Sequence, residues 1–146
     1  MFLLQQADGG VLAAGRARRN LLSLCRAGNR LGWSEDDVII ELVSISVSGS
    51  KRQQLGRAFA SLIGPIEVQP GCLRCRLFQA WPNEDRLLLE ARWENQEKLI
   101  WHLQSDTYKQ LLLLMELSTS PPNLEFLTVV ECRGLDLVEN ARTGSS

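Results

Sequence analysis

Cys72 and Cys75 are three positions apart, and two cysteines at this spacing can take part in chemistry. Such a pair can be half of a zinc site or a thiol redox couple. A zinc site needs four ligands, and Cys25 and Cys132 are isolated in the chain. The pair also leads into a strand-like segment, where residues three apart face opposite sides of the sheet. The sequence therefore predicts two ordinary strand thiols that bind no metal and form no bridge.

His102 is the only histidine in the chain, and histidine is the side chain that most readily exchanges protons near neutral pH. Several aromatic residues precede or follow it: Phe78, Trp81, Trp93, Trp101 and Tyr108. Aromatic side chains around one polar group occur in ligand pockets and also in ordinary cores. Two interpretations therefore stay open at this point, a pocket bordered by His102 and a packed core that contains it.

These residues must be positioned by strands and helices, which the apolar periodicity predicts. Strands are expected over 38–47, 72–81, 86–94 and 124–132, and helices over 51–67, 96–106 and 107–118. The order β-α-β-β-α-α-β is that of an α+β, ferredoxin-like split βαβ fold, an antiparallel sheet with helices on one face.

The domain is expected to span 37–134, and it is flanked by two segments whose secondary-structure patterns are weaker. Residues 1–36 are interpreted as an N-terminal extension, mobile or partly helical over Val11–Cys25. Residues 135–146 are interpreted as a tail that adds one short strand before it becomes disordered.

The side of the predicted sheet away from the helices mixes charged and apolar residues. It carries Arg74, Arg76, Phe78, Leu88, Glu90 and Arg92. A single sheet would expose an apolar patch there. We therefore expect a homodimer whose sheets face each other, with the arginines pairing with Glu90 of the other copy. The alternative is a half-solvated face.

Composition excludes some classes of partner. The net charge of −1 over 146 residues does not give the excess of basic residues that is typical of proteins that bind nucleic acid. The apolar runs are far shorter than the roughly 20 residues of a membrane span, and the run after the basic segment 16–20 is too short for a signal peptide. We therefore expect a cytoplasmic protein that binds neither nucleic acid nor membrane.

The stretch 69–112 resembles the core of the antibiotic biosynthesis monooxygenase family, in the dimeric α+β barrel superfamily. It carries Pro70-Gly71-Cys72 before a strand, Glu90-x-x-Trp93 closing the next strand, His102-Leu103, and Ser105-x-x-Tyr108. The resemblance extends over about 38–134. It implies a cofactor-independent oxygenase acting on an electron-rich aromatic such as a quinol or an anthrone. No Gly-rich phosphate loop for a flavin or nicotinamide is present.

For such a reaction, the residue types indicate roles for the histidine and the aromatic side chains. His102 is the expected base, and the expected substrate-binding residues are Trp93, Tyr108, Trp101, Phe78 and Trp81. The ligand is expected between the helices and the sheet, touching Trp93 and either His102 or Tyr108. The haem-degrading branch carries an Asn on its first strand, which 38–47 lacks. The alternative function is not enzymatic: a non-catalytic dimeric module that binds a small ligand or takes part in a stress response.

Overall fold

The computed structural model describes residues 36–144. Its elements in chain order are β1 Val38–Ser46, α1 Arg52–Glu67, β2 Cys72–Gln79, β3 Arg86–Trp93, α2 Gln96–Leu103, α3 Asp106–Met115, β4 Asn123–Val129 and α4 Leu135–Thr143. The predicted order is confirmed up to β4. The extension 1–36, with its expected helix over Val11–Cys25, lies outside the described residues.

The strands form one sheet in the order β2-β3-β1-β4, in which every neighbouring pair is antiparallel. This is the ferredoxin-like split βαβ arrangement predicted from the sequence. Strand β1 alternates strictly between half-buried and buried residues, because one face of the sheet is covered and the other is open. Within the described range, no helix is long and apolar enough to cross a membrane.

Helix α1 covers the sheet with an apolar stripe. Leu55, Phe59, Leu62 and Ile66 are buried at spacings of three and four residues, which places them on one side of the helix. Pro65 lies within this helix, which nevertheless continues to Glu67. The stripe packs on the inward residues of β1 and β3 to form a single core.

A bulge at the start of β2 corrects the prediction for the two cysteines. Cys72 pairs with Trp93 while Cys75 pairs with Ala91, with a register shift between Cys72 and Arg74. Because the bulge adds one residue to the strand, both cysteines face the helices rather than opposite sides. The expectation that strand geometry separates them is therefore wrong. The added residue is Leu73, which is exposed instead of buried as the alternation suggested.

The open face of the sheet carries its charges on adjacent strands. Glu90 Oε1 lies 2.6 Å from Arg74 Nη2 and 2.9 Å from Arg92 Nε. These hydrogen bonds, first from Arg74 and then from Arg92, hold the pKa of Glu90 below its ordinary value. The two arginines were expected to pair with Glu90 of a second copy, but they pair with it within one chain.

The C-terminal segment is a helix, α4, where a short strand was expected. Arg133 Nη2 donates to Asp136 Oδ2 at 2.6 Å, and the backbone N–H of Gly134 donates to Asp136 Oδ1 at 2.9 Å. These local contacts start a helix, and Gly144 ends it with a positive φ of 70°. The spacing of Leu135 and Val138 also suits a helical face better than strand alternation.

Candidate active site

The central strands and the two short helices bring three predicted site residues together. Asn95 caps α2 by accepting from Lys98 N at 3.0 Å, and Ser105 caps α3 by accepting from Tyr108 N at 3.1 Å. Such caps fix where a helix begins. They therefore set the position of His102 near the end of α2 and of Tyr108 in the first turn of α3.

The imidazole of His102 lies between two aromatic rings. Trp93 stacks on it with ring centroids 4.4 Å apart, and Tyr108 meets it edge-on at 5.1 Å. The exposed fraction is 0% for Trp93 and 2% for both His102 and Tyr108. The interior placement answers part of the open question, because His102 lies inside the core rather than at its border. The roles assigned to the three residues remain predictions.

Glu41 completes this cluster, and the sequence did not point to it. Its carboxylate is fully buried, and Oε2 lies 3.2 Å from His102 Nε2. Trp93 donates from Nε1 to the same Oε2 at 3.3 Å. The available signal was a lone carboxylate at an inward position of a strand, between Ile39 and Val43. Acidic side chains are rarely fully buried unless paired.

Gln69 fixes one ring nitrogen of His102, Nδ1, as a hydrogen-bond donor. Its Oε1 lies 2.6 Å from His102 Nδ1, and its Nε2 donates to Ser105 Oγ at 3.3 Å. Ser105 Oγ in turn donates to the His102 carbonyl at 2.7 Å, so it has no second proton to offer Gln69. The amide orientation is thereby set. Nδ1 therefore donates to Gln69.

Three polar atoms of the cluster have no hydrogen-bond partner within residues 36–144. They are Glu41 Oε1, His102 Nε2 and Tyr108 Oη. The 3.2 Å approach of Nε2 to Glu41 Oε2 is thus a close contact without the alignment of a hydrogen bond, and it is an ion pair only when His102 is protonated. Burial, followed by the charge of Glu41, raises the pKa of the Tyr108 hydroxyl. That hydroxyl keeps its proton and is available as a donor.

The other three predicted substrate-binding residues lie away from this cluster. Trp81 is 87% exposed in the β2–β3 turn, and Trp101 is half-exposed, with Lys98 Nζ 3.9 Å from its ring centroid. Phe78 lines a groove of about 630 Å³ between α1 and the ends of β2 and β3 that carry Gln79 and Leu87. The Trp93 end of β3 is six residues away from Leu87, on the order of 20 Å along the strand.

The two cysteines of β2 are poor nucleophiles in the folded protein. Burial raises the pKa of Cys75 to about 12, and burial also raises the pKa of Cys72. Among the described residues, no group of three or more His, Cys, Asp or Glu side chains could hold a metal ion.

We expect the thiols of the folded protein to differ sharply in reaction with a disulfide reagent such as dithionitrobenzoate. In a Cys25→Ser background, exposed Cys132 should react first, while Cys75 should react at least about a hundredfold more slowly because little thiolate forms. Guanidinium should expose all three thiols and serves as the control. Equal rates for Cys75 and Cys132 in native buffer would contradict this.

The sequence profile of the antibiotic biosynthesis monooxygenase family matches residues 38–112, which is about half of the chain and includes every residue of the cluster. The chain belongs to the antibiotic biosynthesis monooxygenase family. No match was found among curated proteins.

Solved structures of other proteins share the antibiotic biosynthesis monooxygenase fold of this chain. The protein Rv0793 of Mycobacterium tuberculosis is 19% identical, covering 66% of this chain and 99% of its own, with a TM-score of 0.59. A conserved Methanosarcina mazei protein is 22% identical over 64% of this chain and 94% of its own, with a TM-score of 0.59. A candidate antibiotic biosynthesis monooxygenase from Caulobacter crescentus is 21% identical over 66% and 93%, with a TM-score of 0.60. At these identities the likeness concerns the fold alone.

Proposed function

We propose that the protein is a cofactor-independent monooxygenase acting on an electron-rich aromatic such as a quinol or an anthrone. The observation that carries the proposal is the buried cluster of Glu41, Trp93, His102 and Tyr108, in which polar atoms without partners lie against aromatic rings. Proton transfer in an apolar, water-excluding site is what such a reaction needs from the protein.

The reaction balances without a cofactor. An anthrone loses a proton from its reactive carbon, and the resulting carbanion passes electrons to O₂. One oxygen atom ends as the new carbonyl, and the other leaves as water with the two hydrogens of the oxidised carbon. The protein contributes an acceptor for the proton and a donor, Tyr108 Oη, toward the substrate oxygen. Since Trp93, His102 and Tyr108 are at most 2% exposed, the ligand reaches them only when the cover formed by α2 and α3 opens.

We expect the protein to accelerate oxygen consumption with a reduced naphthoquinone or an anthrone above the buffer rate. His102→Ala should slow turnover by about a hundredfold, because the proton-transfer pair of Glu41 and His102 loses one member, and a positioned proton-transfer group contributes roughly that much. Oxygen-electrode traces measure this, with Gln110→Ala, an exposed position on α3, as the matched control. Turnover that is equal in the wild type and His102→Ala would count against the proposal.

A second candidate is the binding of a small aromatic without chemistry, and the groove beside Phe78 favours it. Its volume of about 630 Å³ is within the usual range for small-molecule sites. Leu77 and Leu87, which face the helices, provide apolar surface there, and Arg52 and Arg57 provide charge. If Leu77→Ala weakens ligand binding while His102→Ala does not, and no oxygen is consumed, this binding function replaces the oxygenase.

We also propose that the protein is a homodimer joined through the open faces of the two sheets. In one chain this face leaves Phe78 42% and Leu127 44% exposed, and Ile40, opposite Leu127, and Leu42 are half-buried on the same face. Apolar surface of this kind on a sheet is typical of an interface. Because Glu90 is occupied within its own chain, the apolar residues provide most of the attraction.

We expect sedimentation to show a dimer at micromolar concentration. Leu42 lies opposite Glu90 on one side and Glu125 on the other, so Leu42→Asp puts three carboxylates in a row on each face. It should weaken the dimer by roughly a hundredfold through like-charge repulsion and lost apolar contact. Leu113→Asp, at an exposed position of α3, is the control and should remain dimeric. A wild-type monomer under these conditions would rule the interface out.

A further inference from the structure

The three unpartnered atoms of the buried cluster belong to His102 and to two side chains that each contact it. His102 lies 3.2 Å from Glu41 and packs against the ring of Tyr108, and each of these side chains is more than nine-tenths buried. Native interiors rarely leave buried polar atoms unsatisfied. A ligand hydroxyl suits two of them at once, because it can donate to Glu41 Oε1 and accept from Tyr108 Oη.

The contacts of His102 leave its ring without a free acceptor for that hydroxyl. Nδ1 donates to Gln69 Oε1, and Nε2 faces Glu41 Oε2. The same Oε2 accepts the N–H of Trp93, so it presents a lone pair in this part of the core. A proton on Nε2 makes Glu41 and His102 a neutral ion pair, whereas a bare Nε2 would place a lone pair against a carboxylate in the core.

We infer that Glu41, rather than His102, accepts the hydroxyl proton of a phenolic ligand, while His102 stays protonated and balances the charge. The inference rests on the proposed function for its class of ligand, and it differs from the role predicted from the sequence. The O–H bond of the ligand breaks, its proton moves to Glu41 Oε1, and the electron pair stays on the ligand oxygen.

This assignment keeps the number of charges in the core constant. Before transfer, the carboxylate of Glu41 is paired with the imidazolium of His102. After transfer, Glu41 is a neutral acid, and the imidazolium is paired with the ligand anion. Tyr108 donates to that anion from Oη, and burial keeps its own proton in place. Removing a charge from a buried pair without replacing it would be unfavourable, and here the ligand anion replaces it.

Binding of 1-naphthol tests the assignment, because its absorbance changes when it ionises and it is neutral when free at pH 7. We expect wild-type protein to bind it as naphtholate. Glu41→Gln should bind naphthol but lower the ionised fraction by about tenfold or more, and Tyr108→Phe should weaken binding by about threefold to tenfold. Glu94→Gln, exposed at the end of β3, is the matched control, and 1-methoxynaphthalene is the control ligand without a proton.

A second measurement needs no variant, because His102 is the only histidine. In protein labelled with ¹⁵N-histidine, naphthol should leave the protonation of Nε2 unchanged. Gain of a proton at Nε2 on binding, or full ionisation in Glu41→Gln, would overturn the inference and leave the oxygenase proposal standing with His102 as its base. If wild-type protein does not bind naphthol, both proposals fail. If Glu41→Gln does not fold, the ¹⁵N-histidine spectrum of the wild type with and without naphthol decides alone.

Discussion

Replacing Trp93 with alanine is expected to lower the free energy of unfolding by about 3–5 kcal/mol, the usual cost of truncating a large buried aromatic residue. The side chain is fully buried and stacks on His102 with ring centroids 4.4 Å apart. The truncation leaves a cavity between sheet and helices. It also removes the N–H that Trp93 donates to Glu41, so a buried carboxylate loses a donor.

Urea unfolding at 25 °C, followed by far-UV circular dichroism, measures this difference. Trp101→Ala is the matched control because Trp101 is 47% exposed. Its main specific contact is with the ammonium of Lys98, which is worth about 0.5–1 kcal/mol at an exposed site. If the two substitutions cost the same, Trp93 does not hold the core together as described.

The buried contact between Glu41 and His102 is expected to show the largest coupling in the molecule. His102→Leu alone should cost about 3–5 kcal/mol, because it leaves an uncompensated buried carboxylate. Glu41→Leu alone leaves the imidazole without its partner. The double variant removes both and fills the space with apolar atoms, so it should cost less than the sum of the single costs by about 2 kcal/mol.

The matched control cycle uses the surface pair of Arg52 and Asp85. Its N–O separation is also 3.2 Å, but the two side chains are 35% and 49% exposed. Water screens that pair, so its coupling should stay below about 1 kcal/mol. Equal couplings in the two cycles would show that burial does not strengthen the contact of Glu41 with His102.

Much of the fold could be predicted from the sequence because its signals are local. The alternation in β1 and the stripe of α1 each depend on side chains a few positions apart. The order of strands and helices then left few topologies to consider. Helix α4 is the exception. Its nine residues follow Gly134, and the spacing of Leu135 and Val138 alone is too short a signal to distinguish a helix from a strand.

The candidate site could be predicted only in part. Trp93, His102 and Tyr108 were grouped from a family resemblance, and the structure places their rings in contact. Phe78, Trp81 and Trp101 were grouped with them by residue type, which says nothing about which end of a strand or which side of a helix a ring occupies. The structure separates these three from the cluster.

By itself the sequence determined the order of the elements, the family and the face on which each regular strand buries its side chains, because periodicity along a strand or helix is a short-range property. Only the tertiary structure decided the bulge that turns Cys72 and Cys75 to one side, since it depends on how β2 is registered against β3. Only the tertiary structure paired Glu41 with His102, because 61 positions separate them in the chain. Such a contact forms when strand and helix pack and bury both side chains together, and no local pattern encodes it.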